Sequence, residues 1–134
     1  MPSRIEIHDS VCDRLVKPRD GIVIDLKPAI VHRSAGQPGV DFGQVFASDV
    51  QLRFHHAFTA NHEIKTPIDL ADGEVMIGEI RLKNLVPLPF STSKELTANL
   101  IDVMGNELKI NAIGLTIIEI GNERFLEHFP GTKN

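Results

Sequence analysis

The residues best suited to chemistry lie in one run, Val31-His32-Arg33-Ser34-Ala35-Gly36-Gln37-Pro38-Gly39-Val40-Asp41-Phe42-Gly43. A histidine and an aspartate at a loop mouth can form an acid–base pair, and an adjacent arginine can hold an anion. His32, Arg33 and Asp41 are therefore candidate ligand-binding residues. Ordinary turn chemistry explains the same residues more simply. Pro38-Gly39 suits a type II turn, and Asp41 suits a side chain that accepts hydrogen bonds from nearby amides. The run lacks the spacing of either phosphate-binding fingerprint, and no helix is expected after it.

Six histidines raise the question of a metal: His8, His32, His55, His56, His62 and His128. Strong metal signals place ligands at alternate strand positions or one helical turn apart, and these histidines show no such pair. His55 and His56 are adjacent, so on a strand they point to opposite faces. The parity of Val50, Leu52 and Phe54 makes His56 the inward one, and it joins the ligand-binding candidates. Buried histidines usually bond to a neighbouring group instead of a metal. Neither a metal nor a cofactor is expected.

Other motifs are weaker. Ser91-Thr92-Ser93-Lys94 has the S-x-x-K spacing of acyl-transfer serines, but that chemistry needs a helical turn, and this run precedes a strand pattern. There is no G-x-S-x-G and no H-E-x-x-H. Glu63, Glu74, Glu79 and Glu95 are scattered, without a second carboxylate for glycosidic work. The single cysteine, Cys12, allows no intramolecular disulfide and has no basic neighbour closer than Arg14, so it reads as a structural thiol. No catalytic residue is assigned.

These residues must be positioned by strands. Val50, Leu52, Phe54 and Phe58 fall on one face of a strand at 50–58, with Gln51, Arg53 and His55 on the other. Residues 21–27 are rich in β-branched side chains, and 29–33 continue them. Residues 74–82 form another candidate strand, with a bulge expected at Gly78. Leu96, Ala98 and Leu100 mirror Leu108, Ile110 and Ala112 as a hairpin. A second hairpin is expected where 115–120 meets 123–128 across Gly121-Asn122, with a short helix as the alternative for 123–129. Brief helical options exist at 9–16 and 69–71. Turn signals also fall at Pro18-Arg19-Asp20-Gly21, Asp72-Gly73 and Gly105-Asn106. The prediction is an all-β, mainly antiparallel domain: a small barrel or sandwich of about seven to nine strands with at most one short helix. Residues 1–134 form one domain, with 1–19 as a peripheral N-terminal arm and 130–134 as a tail.

The composition agrees with this. Seven Phe, no Trp and no Tyr leave the core to Ile, Leu and Val. A formal charge of -4 and the lack of stacking aromatics argue against a nucleic-acid partner. No apolar run approaches the ~20 residues of a membrane-spanning helix, and residues 1–10 lack a signal-peptide core, so a cytoplasmic protein is expected.

The His32-Arg33-Ser34 and Pro38-Gly39-Val40-Asp41 pieces, the Leu85-Val86-Pro87-Leu88-Pro89 run and the closing Glu123-Arg124-Phe125-Leu126-Glu127-His128-Phe129-Pro130-Gly131 resemble a family of small uncharacterised bacterial β-rich proteins. The resemblance spans most of 20–131 and implies a β-rich domain, with no activity, ligand or partner attached. Functionally, the first expectation is a binding module that self-associates through an exposed apolar edge near 85–90. The alternative is a small-ligand β-barrel or an enzyme with a polar site around the 32–41 loop.

Overall fold

The computed structural model describes residues 1–61 and 64–130. His62, Glu63 and the last four residues of the expected tail lie outside the described residues. The described chain has no helix and forms one antiparallel sheet of nine strands. These are β1 (Ser3–Glu6), β2 (Val11–Val16), β3 (Gly21–Arg33), β4 (Gly43–His55), β5 (Ile68–Ile77), β6 (Ile80–Lys83), β7 (Leu85–Leu88), β8 (Phe90–Asp102) and β9 (Glu107–Phe129).

The pairings return on themselves. β2 pairs with β3, β3 with β4, β4 with β9, β9 with β8, β8 with β5, and β5 with β2 again. The last contact has only two rungs, Val11↔Asp69 and Cys12↔Ile68. β1 and β7 extend the sheet beyond β3, and β6 folds back on β5. The cycle is therefore closed on paper by a short seam, which distinguishes it from a fully paired barrel.

Strand periodicity explains the core. Val50, Leu52 and Phe54 of β4 are buried while Arg53 and His55 are exposed, as alternation requires. Ile22, Ile24 and Leu26 of β3, Val75 of β5, Ala98 of β8 and Ile110 of β9 complete the interior. The hairpin of β8 with β9 carries the expected rungs Leu96↔Ala112, Ala98↔Ile110 and Leu100↔Leu108. The Pro18–Gly21 turn closes with the Gly21 amide donating to the Pro18 carbonyl at 3.1 Å.

Several expectations are corrected. Residues 1–19 are not peripheral: Ile5 and Ile7 are buried, and β1 lies between β3 and β7. An apolar residue every second position was enough to give this segment a core face. The 9–16 and 69–71 helical options are not helix: 11–16 and 69–71 are strand, because each finds a neighbour to pair with. Gly78 sits at φ 61° in a two-residue loop between the paired Ile77 and Ile80, so 74–82 is a hairpin and not one bulged strand. Asp72-Gly73 is conversely not a turn but two rungs of β5, just after a bulge at Ala71 where the register shifts between Leu70 and Asp72.

Gly121-Asn122 makes no turn. Both have positive φ, 138° and 52°, but they bulge one continuous strand, β9, as it runs along β4. A two-residue hairpin would have paired 115–120 with 123–128. β4 instead offers thirteen residues of edge, and the bulges absorb the mismatch.

Candidate interaction surface

The four residues singled out as ligand-binding do not converge. His32 and Arg33 end β3, whereas His56 follows the rung Gly21↔His55 at the opposite end of the β3–β4 pair. A thirteen-residue strand separates them, roughly 40 Å at ~3.3 Å per residue. His56 is not inward either. The chain leaves β4 with φ 44° at this residue, the alternation breaks, and the exposed imidazole meets the Asp20 carboxylate at 2.6 Å. Phe58, two residues on, is also exposed for the same reason.

Each of the other three has a structural partner. The Asp41 carboxylate accepts from the Gln37 amide at 2.7 Å, which is the turn chemistry described above. His32 is buried, with Nε2 2.9 Å from Glu6 Oε1 and its ring edge-on to Phe129. Its Nδ1 is buried without a partner among the described residues. With Nε2 as the donor, Nδ1 is left as a lone-pair acceptor. The hydrogen bond from His32 is the largest cause holding the Glu6 carboxyl below its ordinary range; burial opposes it, and the nearby His32 and His8 add smaller electrostatic contributions. His8 and Asp9 close a small exposed cluster with Glu6, one ligand-type atom of each within 4.8 Å of the others. His8 Nδ1 faces both carboxylates, 3.6 Å from Glu6 and 3.2 Å from Asp9, so the three groups answer one another.

Arg33 does more than satisfy itself. Its guanidinium lies over the Phe46 ring, 4.6 Å from the centroid, and crosses β4 to reach β9. There it donates to Glu119 at 3.1 Å and pairs with Glu123. Glu119 also accepts from the buried Ser48 hydroxyl at 3.3 Å. Arg33 thus ties the second half of β9 across β4 onto β3.

That second half is the least covered part of the sheet. β8 leaves β9 at the rung Phe90↔Ile117, so residues 118–129 pair with β4 on one side and with no described strand on the other. Ile120, Phe125 and Leu126 are exposed there, and Phe42 and Val40 are exposed on the adjoining loop. The Phe42 ring stacks on His128 at 6.0 Å, and Phe125 meets Phe46 edge-on at 5.7 Å. The result is an apolar and aromatic arm with a free backbone edge. The sequence hid it, because pairing 115–120 with 123–128 would have consumed that edge.

The 85–90 segment is a poorer edge than expected. Val86 and Leu88 are buried against the chain's own core, and β7 has only four residues, Pro87 among them. A short strand whose proline lacks an N–H is a blunted edge.

A cavity of about 420 Å³ opens beside the two-rung seam, floored by Cys12, Leu100 and Leu108. Its rim groups are largely engaged with one another. Asp102 accepts from the Asn106 amide at 2.8 Å and from the Asn106 side chain at 3.0 Å, and these bonds hold its carboxyl below the usual range. Asn61 donates to the Glu107 carbonyl at 3.2 Å. The Cys12 thiol is buried, and burial pushes its pKa up to about 11, as a structural thiol requires.

Among the described residues, no helix is long and apolar enough to cross a membrane. The chain matches no protein-family model, no curated protein and no solved structure in comparisons with known proteins.

Proposed function

We propose that this chain is a non-catalytic interaction domain that pairs with a second copy of itself through the outer edge of β9. The observation that carries this reading is the unpaired edge of 118–129, exposed together with Ile120, Phe125 and Leu126. Roughly 40 Å of free strand offers about ten main-chain hydrogen bonds, as many as a typical protein interface contains. Two copies of one edge run antiparallel present matching donors and acceptors, so the same surface serves both partners. Arg33 already faces Glu119 and Glu123, which lowers the charge repulsion between two such arms. The proline-blunted β7 edge offers no comparable length.

Sedimentation velocity over a concentration series tests this reading. A reversible dimer is expected, abolished in Phe125→Glu and Leu126→Lys while the monomer of each still unfolds cooperatively. Both side chains are exposed on the arm; Phe125→Glu also gives up the ring's edge contact with Phe46, so Leu126→Lys is the variant expected to leave the monomer's unfolding temperature nearly unchanged. A chain that stays monomeric throughout overturns the reading. So does a dimer that survives both substitutions.

A further inference from the structure

We infer a second, independent site: a surface that binds a tetrahedral oxyanion such as a phosphate group, formed by His55, His56 and the Ser91-Thr92-Ser93-Lys94 run. β4 ends at His55, and β8, on the other side of β9 from it, has a bulge between Thr92 and Glu95. The bulge frees Ser93 and Lys94 from the ladder with β9 and turns them outward, both exposed. Together with Thr116, Ile113 and Gly114 these residues line one open concavity.

Its chemistry is one-sided. The lining holds one ammonium, two imidazoles and four hydroxyls, from His55, His56, Ser91, Thr92, Ser93, Lys94 and Thr116, and no carboxylate. In a chain with net charge -4, a surface of donors without an acid is a departure from the average. The nearest carboxylate engaged with the group is Asp20, which holds His56 through Nδ1 and leaves Nε2 for a ligand. His55 is likewise held, with Nε2 2.9 Å from the Thr116 hydroxyl. Both rings are therefore oriented by a neighbour, which lowers the cost of arranging them around a ligand.

The bulge is itself organised: the Lys94 amide donates to Thr92 Oγ1 at 3.2 Å. Gly114, at φ 115°, passes under the site. A Cβ there would stand 3.2 Å from the Thr92 carbonyl and 3.3 Å from His55 Cδ2. The close approach of β9 to both arms of the site needs a residue without a side chain. The 420 Å³ cavity makes a weaker case for an anion, because the carboxylates of Asp102 and Glu107 line it.

Oxyanion recognition by hydroxyls, imidazoles and one lysine is charge-assisted hydrogen bonding. The probe is inorganic phosphate, with phenyl phosphate as an ester and chloride at matched ionic strength as the control. The readout is the side-chain resonances of His55 and His56 in a titration followed by NMR. The expected result is saturable movement of both with phosphate and phenyl phosphate and none with chloride. Lys94→Ala should weaken binding about tenfold, equivalent to ~1.4 kcal/mol, whereas Lys109→Ala, on an exposed position of β9 outside the site, should leave it unchanged. Gly114→Ala, read by the same resonances and by thermal unfolding, should weaken binding as well. Unmoved histidine resonances, an equal response to chloride, or equal losses in the Lys94 and Lys109 variants would overturn the assignment. Since none of these residues lies on the 118–129 edge, the dimer and the anion site fail separately.

Discussion

Replacing Arg33 by methionine isolates what holds the arm of β9 in place. Methionine keeps an apolar stem on Phe46 while removing the guanidinium. Glu119 and Glu123 are each more than a third exposed, so solvent screens their pairs with Arg33 to about 0.5 kcal/mol each. The guanidinium over Phe46 adds about 0.5–1 kcal/mol. The expected loss is therefore about 1.5–2 kcal/mol, or on the order of 5–8 °C in Tm for a domain of this length. Urea unfolding, at a dilution that keeps the chain monomeric, measures it. Pairing the change with Glu123→Gln in a double-mutant cycle should show a coupling of about 0.5 kcal/mol. High salt should shrink that coupling. A loss below ~0.5 kcal/mol, or strict additivity with Glu123→Gln, would refute the role assigned to Arg33.

Three further outcomes follow from the geometry. Glu6 has a lowered pKa in the folded chain, so its contribution to stability is present above its ordinary value of 4.5 and is lost as pH falls through the lower folded value; urea midpoints of the wild type and Glu6→Gln should converge toward acid pH. The Cys12 thiol, raised to about 11 from 9.0, should label slowly with iodoacetamide at pH 8 in the native state and rapidly in urea. Its linkage has the opposite direction: the unfolded chain releases the thiol proton first, so stability falls as pH rises above 9. Gly43→Ala should cost about 1–3 kcal/mol in urea unfolding, because the added Cβ collides with the Arg33 carbonyl where β3 pairs with β4.

How much of this was legible in the sequence depended on range. Val50, Leu52 and Phe54 declared their strand by local alternation, and the Leu96–Leu100 side of the β8–β9 hairpin found its partner across a short turn. Gly121-Asn122 carries the composition of a turn, yet 73 residues upstream Asp49 accepts from the Asn122 side chain, and β4 claims the strand. No local rule weighs that competition. Gly78 turns the chain and Asp72-Gly73 stays within β5 for a similar reason: which glycine turns the chain is decided by which neighbouring strand supplies rungs on either side. The candidate site failed on parity. A period of two holds only while the strand lasts, and β4 stops one residue before His56. The Arg33 link to Glu119 and Glu123 spans three strands and leaves no trace in sequence spacing.

The most direct test of the central claim is amide hydrogen exchange across 118–129, followed residue by residue at low and high protein concentration. Pairing between copies predicts that amides on the outer edge of β9 gain protection as concentration rises, while those bonded to β4 are protected throughout and those of β7 do not change. Fast exchange along that outer edge at every concentration would contradict it.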